Sequence, residues 1–151
     1  MYKLSISTSG SYTSACLHEE KLIASLIFKS SQGSTNLLLS EIDELLTKTN
    51  VSKKDLGAIY LDIGPGYYTG LRIGYSVAQG IGASLGIPIV PVNGLDALAF
   101  SAHTSHRKIC TIIDIKRNEY AFCTYKPLPG GVVRETEPEI LNSQILKVKL
   151  S

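Results

Sequence analysis

The sequence predicts an α/β fold, and three observations carry the prediction. The chain opens with three short alternating runs, after which helical and strand periods take turns: helix, strand, helix, strand, helix. A tight Gly64-Pro65-Gly66 turn joins the β-branched run Ala58 to Ile63 directly to a helical stretch reaching Leu85, as in a β-α unit. The 151 residues, 44% hydrophobic and 19% charged, suit one ordinary domain with a real core and are too apolar for disorder.

Tyr2 to Ser7 alternates and reads as a strand, and Thr8-Ser9-Gly10-Ser11 has turn chemistry. Thr13 to His18 and Lys21 to Lys29 read as two more strands around a polar turn at Glu19-Glu20, which completes an antiparallel meander. Ser30 to Ser34 is a polar loop. A helix is expected over Thr35 to Thr49, with Leu38, Leu39, Ile42, Leu45 and Leu46 at helical spacing and Asn50 just past its end. Ala58 to Ile63 is the central strand. Thr69 is the expected N-cap of the next helix, Gly70 to Leu85, which Gly86-Ile87-Pro88 stops. Pro88 to Val92 reads as a strand, and Leu95 to His103 as a short helix. Lys108 to Ile115, a Lys116-Arg117-Asn118 turn and Glu119 to Tyr125 form a hairpin that echoes the opening one. Pro127 to Gly131 is a loop, followed by a strand over Val132 to Thr136.

The second helix is unusual. Gly70, Gly74, Ala78, Gly82 and Gly86 recur every four residues along one face, while Leu71, Ile73, Val77, Ile81 and Leu85 cover most of the rest. Each interior glycine costs about 1 kcal/mol against alanine, so Gly74, Gly80 and Gly82 together cost about 3. Such a helix lets another backbone approach closely. Two compatible readings are open: tight packing on its own sheet, or packing against a second helix, including one from another subunit.

Gly64-x-Gly66-x-x-x-Gly70 is neither the dinucleotide G-x-G-x-x-G nor a P-loop, since no Gly-Lys-Ser/Thr stands at the required offset. Asp62, Asp114 and Glu119 are the candidate acid-base carboxylates. Asp62 is expected to face solvent or to pair with Arg72. His103-Thr104-Ser105-His106 could share a metal on a helix, but no third ligand is evident and a solvated loop is the expected reading. No Ser-His-Asp order or Cys-His pairing stands out. Cys16, Cys110 and Cys123 are an odd number without a C-x-x-C, which argues against a disulfide framework or a zinc ribbon; Cys16 and Cys123 are expected to be buried. The formal charge of +2 gives no electrostatic case for direct nucleic-acid binding. Met1-Tyr2-Lys3 leads straight into a strand and the glycine helix is too interrupted to span a bilayer, so a cytoplasmic protein is expected.

Gly64-Pro65-Gly66-Tyr67-Tyr68-Thr69-Gly70-Leu71-Arg72-Ile73-Gly74 resembles the GPGSFTGLRIG signature of the TsaB (YeaZ) family, with Tyr67-Tyr68 in place of Ser-Phe. Asp114 to Tyr120 is similar to the family's IDARRGEVY segment. The likeness covers roughly residues 1–126. It implies the actin-like/sugar-kinase/Hsp70 (ribonuclease H-like) fold, with residues 1–105 as a complete first lobe and residues 106–151 as a shortened second lobe.

The resemblance implies a non-catalytic scaffold that activates a TsaD-like catalytic subunit in forming threonylcarbamoyladenosine next to the tRNA anticodon. A TsaE-like ATPase is a further implied partner, tRNA is met only indirectly, and a homodimer is expected when the chain is alone. No cofactor and no metal are expected. The family's contact uses the two helices, which here places Leu38, Ile42, Leu45, Tyr67, Gly70, Leu71, Gly74, Tyr75, Ala78 and Gly82 at the interface.

Two departures from the family pattern stand out. The first strand ends in Ser7, where nucleotide-using members of the fold carry a metal-organising aspartate, and Ser7 cannot be an anionic ligand. Thr8, Ser9 and Gly10 are left either to accept a phosphate or to make the turn. The family's His-Ser before the first helix is replaced by Ser34-Thr35. The rival readings are a small nucleotide-binding or phosphotransfer enzyme, in which Asp114 would replace the absent aspartate, and a glycoprotease-like metallopeptidase.

Overall fold

A computed structural model describes residues 1–30 and 35–150. The polar loop expected over residues 31–34, and with it Ser34, lies outside the described residues. The chain divides into two units: residues 1–63 with 67–92, and residues 64–66 with 93–151.

The first unit is built on a five-stranded sheet in the order β3-β2-β1-β4-β5. Strands β1 (Tyr2–Ser7), β2 (Tyr12–His18) and β3 (Leu22–Lys29) form the antiparallel meander, while β4 (Leu56–Asp62) and β5 (Ile89–Val92) add in parallel beyond β1. Helix α1 (Thr35–Lys48) precedes β4, and helix α2 (Tyr68–Leu85) connects β4 to β5. Alternation sets the core: Leu4, Ile6, Ala15, Leu17, Ile59 and Leu61 point to one face and are buried there. Leu38, Ile42, Leu45 and Leu46 of α1, with Val77 and Ala78 of α2, cover that face. Fully burying each large aliphatic side chain contributes about 1.5–3 kcal/mol. On the other face Ser5 bonds His18 at 2.9 Å, and the His18 ring lies 5.8 Å from that of Tyr60.

Helix ends follow local chemistry. Asn50 takes φ +55° just after α1, and Gly86 closes α2 in the left-handed region with its N–H on the Gly82 carbonyl. The α2 N-cap is Tyr67, not the expected Thr69, and it makes no side-chain cap bond. The Gly64-Pro65-Gly66 turn contains a cis Gly64-Pro65 bond, and α2 begins at Tyr68, before Thr69 is reached.

The second unit holds a second sheet: β6 (Ile109–Lys116), β7 (Glu119–Leu128) and β8 (Gly131–Arg134) in that order, with β9 (Glu139–Asn142) also paired to β7. Helix α3 (Gly94–Ser101) buries Leu95 and Ala99 against Ile109, Ala121, Cys123 and Tyr125. Helix α4 (Ser143–Leu150) seats Leu146 on Phe122 and Leu141. Strand β9 and helix α4 have no counterpart in the sequence reading, because Glu139-Ile-Leu-Asn is too short to show a period.

Candidate interaction face and loop cluster

The glycine ridge of α2 faces this chain's own sheet. A β-carbon on Gly70 would lie 2.0 Å from the Thr8 carbonyl oxygen, and one on Gly74 2.4 Å from Thr8 Oγ1. One on Gly82 would meet the Ile89 side chain at 3.1 Å. The ridge therefore serves the approach of α2 to the β1–β2 turn and to β5. The residues expected at the interface divide by burial. Leu38, Ile42, Leu45, Gly74, Ala78 and Gly82 are buried inside the protomer, Leu38 and Ala78 with no exposure at all, so they hold α1 and α2 to the sheet. Tyr67, Gly70 and Leu71 are half-buried, and Tyr75 alone of the named set is largely open, at 43% exposure.

The outward side of the same helices carries different residues. Leu39 of α1 and Tyr68 and Tyr75 of α2 are exposed at 37%, 74% and 43%. Arg72 stacks its guanidinium over Tyr68, 5.7 Å from the ring centroid. Between the helices runs a groove of about 370 Å³, walled by Leu39, Asp43, Ser76, Gly80, Ile81 and Ser84 among others. A β-carbon on Gly80 would meet nothing within 4 Å. Gly80 is the helix glycine that the four-residue spacing leaves off the ridge.

The loop predicted as a turn or a phosphate holder is a turn bound into the fold. Asp62 is half-buried at the end of β4. Its Oδ2 accepts hydrogen bonds from Ser7 Oγ at 2.7 Å and from Ser9 Oγ at 2.5 Å. The Ser9 carbonyl accepts the Tyr67 N–H at 2.7 Å, and the Ser11 and Tyr67 hydroxyls lie 3.1 Å apart. Thr8 is 1% exposed, and its Oγ1 is buried without a hydrogen-bond partner. Asp114 lies in the second unit, where its Oδ1 accepts the Lys116 N–H at 2.7 Å. The carboxylate at the end of β1 comes from β4.

The second unit contains a polar cluster that sequence reading missed. Arg134 Nε and Nη2 donate to the two oxygens of Asp96 at 2.7 and 2.6 Å, and the Tyr125 hydroxyl donates to Asp96 Oδ1 at 2.7 Å. Partial burial pushes the Asp96 carboxyl up, but the Arg134 and Tyr125 bonds outweigh it and hold the group below the usual carboxylate range. Burial and the Asp96 bond raise the Tyr125 phenol, and the Asp96 bond raises the Arg134 guanidinium further. The cluster ties α3 to β7 and β8. Asn93, whose Oδ1 accepts the Leu95 and Asp96 amides at 2.9 and 3.4 Å, marks the helix start and is the one local signal that places Asp96 in a first turn. Nearby, His103 Nδ1 lies 2.8 Å from the Phe100 carbonyl and its ring stacks on Phe100. Cys123 is fully buried as expected, Cys16 is only half-buried, and Cys110 is exposed. Among the described residues no three His, Cys, Asp or Glu are grouped to hold a metal, and no helix is long and apolar enough to cross a membrane.

Strand order β3-β2-β1-β4-β5 with helices after β3 and β4, and a second unit opening on a hairpin, define an actin-like α/β protein. The ROK hexokinase of Thermus thermophilus shares that fold alone, at TM-score 0.52 and 13% identity over 88% of this chain and 48% of that one. The profile of the TsaD family, tRNA N6-adenosine threonylcarbamoyltransferase, matches residues 29–140. The chain is 31% identical over 83% of its length to the Bacillus subtilis protein named tRNA threonylcarbamoyladenosine biosynthesis protein TsaB, covering 54% of that relative. It is 28% identical over 97% of its length to the Buchnera aphidicola (Acyrthosiphon pisum) TsaB, covering 68%. The solved YeaZ from Pseudomonas aeruginosa superposes at TM-score 0.82 and 26% identity, over 93% of this chain and 67% of that one. The chain belongs to the TsaB (YeaZ) family. Across its first relatives the matched stretch spans 38% to 68% of the relative's own length.

Proposed function

We propose that this chain is the TsaB-like subunit of the machinery that forms threonylcarbamoyladenosine on tRNA, and that it acts as a non-catalytic partner of a TsaD-like catalytic subunit. The observation that carries the reading is the apolar groove between α1 and α2, with exposed Leu39 on its wall and an open glycine at Gly80. An apolar recess walled by an open glycine lets an incoming helix seat its apolar face closely. Family membership and the names of the relatives support the partner's identity. On this reading the contact centres on the groove, with Leu39 and Gly80 at its middle. A small net charge fits a subunit that meets tRNA only through its partner. The two units are read as the first lobe and the opening of the second.

The test is co-purification with a TsaD-like subunit. Leu39→Glu buries an unpaired charge in the interface and should weaken pairing about 100-fold, with an unchanged melting temperature. Wild-type yield of the complex with both Leu39→Glu and Gly80→Trp would refute this interface. Light scattering of the chain alone asks whether a second copy takes the same groove. Tight binding of ATP and magnesium by the chain alone would favour the nucleotide-binding alternative instead.

A further inference from the structure

The C-terminal ends of β1 and β4 lie side by side in the parallel part of the first sheet, in register from Lys3 opposite Ala58 to Ile6 opposite Leu61. The Asp62 carboxylate stands there, and the hydroxyls of Ser7, at the end of β1, and of Ser9, in the β1–β2 turn, converge on a single oxygen of it. The turn in turn carries α2: Ser9 accepts the Tyr67 N–H at the helix N-cap, and the Thr8 carbonyl lies against the Cα of Gly70.

We propose that Asp62 is the positioning residue for the β1–β2 turn and, through it, for the first turn of α2, and that this strand edge holds one carboxylate, borne on β4 at position 62 or on β1 at position 7, but not on both. Position 7 is equivalent because Ser7 Oγ lies 2.7 Å from the Asp62 oxygen, and an aspartate there can accept from a residue two positions on, as in an Asx-turn. Two carboxylates at that separation repel, and one must take a proton or swing away. A hydroxyl at both positions leaves Ser9 without a charged acceptor and frees the turn. The inference stands whichever protein the α1–α2 face meets.

The experiment is a four-member cycle on the full chain: wild type, Asp62→Ser, Ser7→Asp and the double variant Ser7→Asp/Asp62→Ser. Hydrogen exchange is read at the Tyr67 and Leu71 amides, with β2 and β3 as internal reference. Each single variant should speed exchange at Tyr67 by about tenfold or more while the reference strands keep wild-type protection. The double variant should return to within about threefold of wild type, a coupling that simple loss of stability does not produce. Unchanged exchange in either single variant overturns the proposal, as does a double variant whose exchange is the product of the two single effects. If a single variant does not fold, the double variant alone decides: wild-type-like protection at Tyr67 supports the exchange of carboxylates, and an unfolded or deprotected double variant refutes it.

Discussion

Gly74 lies directly over Thr8, so that a β-carbon at position 74 would stand 2.4 Å from Thr8 Oγ1. The hydroxyl it faces is buried and has no hydrogen-bond partner. Both halves of this contact can be tested separately. Gly74→Leu forces the turn and α2 apart and should destabilise the chain by about 1–3 kcal/mol or more, read by urea unfolding. Thr8→Val keeps the shape and removes the unmet hydroxyl, so it should stabilise by about 1 kcal/mol. A clear loss of stability in Thr8→Val would mean that Oγ1 has a partner in solution.

Gly80 predicts the opposite of Gly74 although the two are six positions apart on one helix. Nothing lies within 4 Å of a β-carbon there. Gly80→Ala should therefore gain about 0.5–1 kcal/mol from helix propensity and a more restricted unfolded chain. Thermal melting of Gly74→Ala and Gly80→Ala side by side checks the contrast, and equal effects would contradict the packing of α2.

The Asp96 cluster makes stability depend on acid. Its carboxyl is held below the ordinary value in the folded chain, so its contribution is complete above the unfolded value of about 4 and is lost as pH falls through the lower folded value. The Asp96 and Arg134 side chains are 42% and 37% exposed, which limits the ion pair to about 0.5–1 kcal/mol. Arg134→Gln should show that deficit at about pH 6 and converge on wild type toward pH 2. Tyr125→Phe, losing a buried donor, should cost about 1 kcal/mol at neutral pH. A pH-independent gap for Arg134→Gln would contradict the assignment.

The β6–β7 hairpin turns through non-glycine residues at positive φ: Lys116 at 75°, Arg117 at 56° and Asn118 at 62°. Left-handed backbone costs an ordinary L-residue about 1–2 kcal/mol, and Asn-Gly is the pair that suits a two-residue turn of this hand. Arg117→Asn with Asn118→Gly should stabilise the chain by about 1 kcal/mol, measured by chemical unfolding. No gain would mean that side-chain contacts of Arg117 offset the backbone strain.

What was legible in the sequence was everything that repeats over a short span. Alternation marked β1 to β4, a heptad-like run marked α1, and Gly-Pro-Gly fixed where β4 hands over to α2, because strand and helix periods are local consequences of backbone geometry. The motif Gly64 to Gly74 even named the family. The spacing of small residues also announced a close approach on α2, but it could not say to what. Whether Gly74 meets the chain's own Thr8 or a foreign helix depends on which side of α2 turns to the sheet, and that is decided by Leu38, Ile59, Leu61 and Val77 packing together from far apart in sequence. The same holds for Ser7 with Asp62 and for Asp96 with Arg134, whose partners are 55 and 38 positions away. Their bonds exist only because the pairing of β1 with β4, and the packing of α3 on the second sheet, bring remote side chains within 3 Å, a distance that no local pattern encodes.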